Sequence, residues 1–412
     1  MIEVGEASRR ILAGIEPLPG EAVATANAAH RILAEDVIAQ LTSPPWDNSS
    51  MDGYAVRSAG LSPGMSLLVI ETVPAGGFPA LPLRTGEATR IMTGAPVPEG
   101  ADGVIRHEDT DNGRKHVVIN DVRDRGRNIR KAGEDFRAGE KILEKGQALT
   151  TAGVGVLASA GVASVVVHRR PRVAILSSGD ELVSLDDFSH DLAGRRIISA
   201  NSITVASAVR EAGGEPVDLG IARDDPASLR EKLDAARDAD LIVTTAGISV
   251  GDHDHVRDAV VSLGGRLDFW KVRMRPGAPL AFGTLHGKPW LGLSGNPVSA
   301  IVTFELFARP VIRRMLGSPN LFRATIPVQL SERVTLSAPL MHFLRAVIRT
   351  DDGNALTATL AGSQSSAVLT ALARANALLI LPGDRLEYAA GEIHRALPLD
   401  DSFQVTGMLR LT

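Results

Sequence analysis

From about residue 171 to 316, short apolar runs alternate with segments of helical period. Residues 172–176 read as a strand, 202–212 as a helix ending at Gly213-Gly214, 217–221 as a strand and 227–237 as a helix. The run Leu241-Ile242-Val243 reads as a strand buried on both faces. A helix over 255–263, strands over 267–274, 280–285 and 290–293, and a helix over 296–316 complete the series. Such alternation specifies a mostly parallel sheet with helices on both faces.

Either side of this stretch the pattern differs. Ala7, Ile11, Leu12 and Ile15 share a helical face, and 31–37 leads into a strand. Short strands at 54–56, 66–72, 88–92, 103–107 and 116–119 are split by Gly and Pro, as in a small inserted β domain. The small-residue segment 150–161 predicts a helix capped by Thr150 or Thr151 and packed on the N-terminal helix. Beyond Pro319 the helical period stops, and 324–330, 343–350, 355–360, 377–381, 392–397 and 403–409 read as strands. The expected domains are 1–42 with 141–170 (discontinuous), 43–140 (inserted β), 171–318 (α/β) and 319–412 (C-terminal β).

Composition narrows the function classes. With 412 residues, two to four domains are expected. A net charge of −4 gives no general attraction to nucleic acid or anionic membranes, and 4% aromatic residues make a base-stacking surface unexpected. The absence of cysteine excludes disulfides and thiolate chemistry. It fits a cytoplasmic setting, as does a start without a signal-peptide pattern.

The chemistry concentrates at 244–254, where the buried strand opens into hydroxyl-bearing and small residues and then Asp252-His253-Asp254. Glycines let backbone amides approach an anion, and a helix N-terminus adds orphan N–H groups. Carboxylates beside an anion site imply a cation or a proton transfer, so the run suggests phosphate chemistry with a divalent metal. An ordinary helix N-cap accounts equally well for Asp252 alone. Ligands of parallel sheets bind beyond the strands' carboxyl ends, here the loops 177–181, 223–225, 245–254 and 292–297. Elsewhere, the loop 46–52 is as readily a well-bonded turn as a site. The charged run 128–135 is more commonly a solvated turn.

Several runs together carry a resemblance. They are Trp46-Asp47-Asn48-Ser49-Ser50-Met51-Asp52-Gly53-Tyr54, Arg90-Ile91-Met92-Thr93-Gly94-Ala95-Pro96, Asn128-Ile129-Arg130 with Gly133-Glu134-Asp135, Ser178-Gly179-Asp180-Glu181-Leu182, Gly247-Ile248-Ser249-Val250-Gly251 and Gly295-Asn296-Pro297. The chain resembles the molybdopterin molybdotransferases of the MoeA type and the gephyrin E domain. The resemblance implies an elongated homodimer of four-domain chains, with an α/β domain shaped like the molybdopterin adenylyltransferases and a C-terminal β-barrel-like domain. It implies a transferase of molybdenum cofactor biosynthesis that takes adenylylated molybdopterin and molybdate. Hydrolysis of the adenylate, assisted by Mg2+, would release AMP and molybdenum cofactor. Its implied partners are a molybdopterin adenylyltransferase and molybdoenzyme acceptors.

On that reading Ser178, Gly179, Gly247, Ser249, Gly251, Ser294, Gly295, Asn296 and Pro297 are candidates for binding the pterin and adenylate phosphates. Asp180, Glu181, Asp224 and Asp254 are candidate magnesium ligands, since that ion takes hard oxygen donors. Lys271, Arg273 and Arg275 are the local cations for molybdate. Asp254, as base or metal ligand, and Asp52, Thr93 and Asp135 are the candidate catalytic residues. The resemblance places the last three near a site shared between protomers. Where the family commonly reads Lys-Pro-Gly-Lys-Pro this chain has Arg275-Pro276-Gly277-Ala278-Pro279. Ser294 replaces a frequent proline, and His255 a common tyrosine. The lost lysine leaves molybdate or tungstate open as the oxyanion. The competing functions are an adenylyltransferase-like nucleotide enzyme, which the flanking β domains disfavour, and a non-catalytic scaffold, which the carboxylates disfavour. A molybdate store is a weaker third.

Overall fold

Four parallel strands, in the order Glu215–Ala222, Arg172–Ser178, Leu241–Thr245 and Lys288–Leu293, form the centre of the α/β region. Pro279–Leu285 adds antiparallel to the last, and Arg266–Lys271 antiparallel to that, giving a mixed six-stranded sheet. This is a computed structural model, which describes residues 1–189, 194–247, 255–350, 355–400 and 402. Residues 1–20 with 168–412 form one unit and 21–167 a second.

Every residue of Leu241–Thr245 is buried, as its apolar run predicts. Pro226–Asp234 and His255–Ser262 bury Leu229, Leu233, Val256 and Val260 against Leu176, Ile242 and Trp290. Ala200–Ala212 stops where Gly213 takes φ 99°, a left-handed cap that favours glycine. The helix expected over 296–316 is broken into Pro297–Thr303, a π-helical turn Phe304–Ala308 and Arg309–Met315. Pro310 has no N–H for the carbonyl four residues back, which accounts for the widened turn before it. Among the described residues, no helix is long and apolar enough to cross a membrane.

The strands expected after 319 close on themselves. In order, Met341–Thr350, Leu356–Leu360, Ile326–Leu330, Ile393–Pro398 and Ala377–Leu381 form a barrel, closed by pairing of Ala377–Leu381 with Met341–Thr350. Closure leaves no free edge among these five strands. The short strand Met274–Arg275 lies parallel on Met341–His342, setting Arg275 opposite His342. The strand expected at 403–409 lies outside the described residues. Arg323 links Glu305 and Glu211, and so fastens the run between sheet and barrel. Burial pushes the Glu305 carboxyl above its ordinary value, against the pull of Arg309 and Arg323.

The N-terminal helix, Val4–Leu12, finds its partner in Arg309–Met315 of the same unit, a different neighbour from the one its sequence suggested. In the second unit, Thr151–Ser159 buries Leu157 with Leu33, Val37, Phe136 and Val167. Its cap is Thr150, whose hydroxyl accepts from Gly153 N at 3.1 Å. The inserted strands form one five-stranded sheet in the order Gly103–Arg106, Gly53–Val56, Glu87–Ile91, Ser66–Val73 and His116–Val118.

Gly53, central to the Asp52-Gly53-Tyr54 run, has a structural cause. A Cβ there would lie 2.0 Å from the carbonyl oxygen of Ile105 on the next strand. Gly53→Ala is therefore expected to destabilise the protein by about 3 kcal/mol, the upper range for overpacking against fixed atoms. Gly5→Ala, on a helix in open space, should leave stability level or slightly raised. Denaturation of the two variants beside the parent checks this, and equal stability of both would contradict the collision.

Candidate functional site

The carboxyl ends of the parallel strands open into a cleft of about 580 Å³, within the usual range for small-molecule sites. Glu181, Ile197–Asn201, Thr245–Gly247, Pro279 and Ser294–Pro297 line it, with Ala367 from beyond the barrel's second strand. Beneath it runs a chain of buried hydroxyls. Ser199 Oγ donates to Ser177 Oγ at 3.1 Å, and Ser177 Oγ meets Thr245 Oγ1 at 2.9 Å. Trp290 Nε1 donates to Thr244 Oγ1 at 3.1 Å, and Asn201 Nδ2 to the Gly295 carbonyl at 2.8 Å. These bonds tie adjacent strand ends and the helix after Ser199 into one frame.

Gly247 (φ 69°) has no room for a side chain: a Cβ would meet Val256 Cγ2 at 2.3 Å and Ser178 Oγ at 3.1 Å. Ala246 before it also adopts positive φ (74°), a strained position for a residue with a side chain. Ser178 is buried, and its hydroxyl has no hydrogen-bond partner among the described residues. Ser249, Gly251 and Asp254 lie outside the described residues, so the structure describes this loop only as far as Gly247.

The remaining metal candidates are arranged together. Asp180 N donates to Asp224 Oδ2 at 3.3 Å and Asp224 N to Asp180 Oδ1 at 3.4 Å, so the two loops clasp each other. Glu181 lines the cleft, with its carboxylate against Gly179. The donor set is hard carboxylate oxygen, which fits magnesium. Among the described residues, no group of three or more His, Asp or Glu stands at metal-binding distance.

The three candidate cations separate. Lys271 lies over the Trp270 ring at 5.0 Å, and Arg273 pairs with Glu3 at 2.8 Å. Neither lines the cleft. Arg275 is exposed and lines a second cavity of about 320 Å³, beside His342, Arg345, Gln364 and Ser365. The two cavities are lined by neighbouring stretches of chain, Arg275-Pro276 and Gln364-Ser365 for this one and Pro279 and Ala367 for the cleft. Arg345 and His342 were not singled out from sequence, although a lone arginine inside the apolar run 343–348 is a signal. Arg345 is fully buried; its Nη2 donates to the carbonyls of Ser363 (3.0 Å) and Ser365 (3.1 Å). Its Nε and Nη1 have no partner, and no carboxylate pairs with it among the described residues. Burial lowers its pKa, yet a guanidinium keeps its proton. A buried cation without a counter-charge marks a place for an anion.

In the second unit, Asp52 Oδ1 accepts from Thr93 N at 2.7 Å and Thr93 Oγ1 at 2.8 Å. These two bonds hold the Asp52 carboxyl below its ordinary value. Asp135 N donates to the Ser43 carbonyl at 3.0 Å, which sets its loop beside 43–52. A carboxyl with a depressed pKa stabilises the fold above its unfolded value, and that contribution is lost as pH falls through the folded one. Thr93→Val removes the hydroxyl bond and keeps the amide bond. The Asp52 midpoint should therefore rise and still stay below that of a free carboxyl, with this share of stability lost at a higher pH. Carboxylate NMR titration of parent and variant reads the shift, and an unchanged midpoint would contradict the assignment.

Comparison with known proteins accounts for the chain from end to end. Residues 2–161 match "MoeA N-terminal region (domain I and II)", 174–314 "Probable molybdopterin binding domain" and 327–399 "MoeA C-terminal region (domain IV)". Molybdopterin molybdenumtransferase 2 of Mycobacterium tuberculosis is 41% identical over 371 residues, covering 87% of this chain and 90% of its own. The molybdopterin molybdenumtransferase of Haemophilus influenzae is 34% identical over 400 residues, 95% of this chain and 97% of its own. The crystal structure of the molybdopterin biosynthesis moeA protein from Pyrococcus horikoshii superposes with a TM-score of 0.81 at 29% identity, over 97% of this chain and 100% of that one. Sheet, barrel and inserted β unit thus recur together in proteins of one kind, and the chain belongs to the molybdopterin molybdenumtransferase family of the MoeA type.

Proposed function

We propose that this protein inserts molybdate into adenylylated molybdopterin in a magnesium-dependent reaction that hydrolyses the adenylate and releases AMP and molybdenum cofactor. The observation that carries the proposal is Arg345: a buried guanidinium without a carboxylate partner among the described residues, lining a cavity built from stretches of chain next to those that line the strand-end cleft. The cleft suits a phosphate-bearing ligand, because Ser294 brings a hydroxyl to its lining and Gly247 and Gly295 leave room for close backbone approach. The second cavity suits a dianion, since Arg345 and Arg275 bring charge to it and, among the described residues, no carboxylate lines it. Molybdate is held there and the pterin in the cleft, so that the segments 275–279 and 364–367 align oxyanion and acceptor.

In this proposal Asp180, Glu181 and Asp224, with Asp254, hold magnesium, which when bound supplies positive charge to the phosphate oxygens. The chain's residues bind the phosphates, fix their orientation and, at Asp254, move the proton of the attacking oxygen or complete the ligand set. Asp52, Thr93 and Asp135 enter as further catalytic residues. Family membership supports these roles, as it supports action as a homodimer in the cytoplasm. A molybdopterin adenylyltransferase would supply the substrate and molybdoenzymes would accept the product.

AMP release from adenylylated molybdopterin in the presence of magnesium and molybdate tests the proposal. Asp254→Ala should reduce it roughly a hundredfold or more, the scale for removing a positioned acid–base group. Recovery with excess magnesium would assign Asp254 to the metal. Near-normal AMP release with only a lowered melting temperature would reduce Asp254 to a helix cap and contradict its role in the chemistry.

A further inference from the structure

We propose that oxyanion binding in the Arg345 cavity is coupled to uptake of one proton at His342, which makes His342 a residue that selects for the oxyanion according to pH. The inference rests on the reading of that cavity as the molybdate site.

His342 is 2% exposed and lines the cavity. Its Nδ1 lies 2.8 Å from the Leu340 carbonyl oxygen, which can only accept, so Nδ1 carries a proton. In the neutral ring Nε2 is then a bare lone pair, and it has no hydrogen-bond partner among the described residues. A neutral Nε2 offers nothing to an oxyanion, whose oxygens are acceptors too. One proton between them turns a repulsive contact into a charge-assisted hydrogen bond.

The surroundings hold that proton off until an anion arrives. Arg275 stands opposite His342 in the adjoining strand, Leu381 faces it from the barrel strand on its other side, and Arg345 follows on its own strand. Among the described residues, no aspartate or glutamate lines the cavity. Burial holds the His342 pKa below its ordinary value against the pull of the Leu340 carbonyl, and the Arg275 charge adds to the lowering. A bound dianion reverses the balance by supplying the missing negative charge to His342, Arg275 and Arg345 together. Whether the proton then sits on Nε2 or on the anion's oxygen and is donated to Nε2, one proton is taken up per dianion bound.

Calorimetric titration of the full-length protein with sodium molybdate, in buffers of different ionisation enthalpy, counts that proton directly. Between about pH 7 and pH 8 the parent's affinity should fall by up to about tenfold per pH unit, with close to one proton taken up. His342→Gln should bind molybdate with a flat pH profile and no proton uptake. Arg345→Met should lose molybdate binding across the range. Tight binding by the parent without proton uptake, or a pH profile that His342→Gln leaves unchanged, would overturn the role of His342 and leave the cavity reading intact. Parent binding that Arg345→Met does not weaken, or no molybdate binding by the parent, would overturn the cavity reading and this inference with it.

Discussion

A guanidinium fully removed from water needs a negative partner, and Arg345 has none among the described residues. Carbonyl oxygens of Ser363 and Ser365 satisfy one nitrogen, and Gln364 bonds the Arg345 backbone on both sides, through its Oε1 and its Nε2. These contacts fix the side chain in place without neutralising it. Leaving a buried charge unpaired costs several kcal/mol in the ligand-free protein, which is why such charges are normally paired or bound to something. An anionic ligand offsets that cost when it binds, and the site gains affinity from charge that the fold has already desolvated.

Placing that charge takes most of the C-terminal architecture. Barrel closure holds Met341–Thr350 in one register, and the Met274–Arg275 strand lies along it so that Arg275 meets His342. The same excursion from the α/β sheet returns through Pro279 to the cleft, so the sheet's strand ends and the barrel's arginine share one connecting segment. On the sheet side, the hydroxyl chain and the glycine without room for a side chain fix the cleft floor before any ligand arrives. Preorganisation of this kind lowers the cost of ordering the site on binding.

Much of this was legible in the sequence because its causes are local. The buried strand at 241–245, the Thr150 cap, the Gly213 stop and the hydroxyl-rich strand ends follow from period, capping chemistry and glycine, each within a few residues. What escaped depends on distant pairing. Lys271 and Arg273 have the right charge and neighbourhood, yet one settles on Trp270 and the other on Glu3, an acid 270 positions earlier in the chain. Arg345 sits some seventy residues after Arg275, and only the register of two strands sets Arg275 opposite His342, three residues before Arg345. The π-helical turn before Pro310 and the N-terminal helix's partner likewise depend on tertiary context that no short window contains.

The proposed function puts a tetrahedral oxyanion in the cavity against Arg345. Tungstate shares molybdate's shape and charge, and tungsten scatters anomalously. An anomalous difference map from crystals of this protein soaked in tungstate should show a peak between the Arg345 and Arg275 guanidinium groups, and the peak should vanish in Arg345→Met. A peak that forms elsewhere, or that persists without Arg345, would contradict an oxyanion site at Arg345.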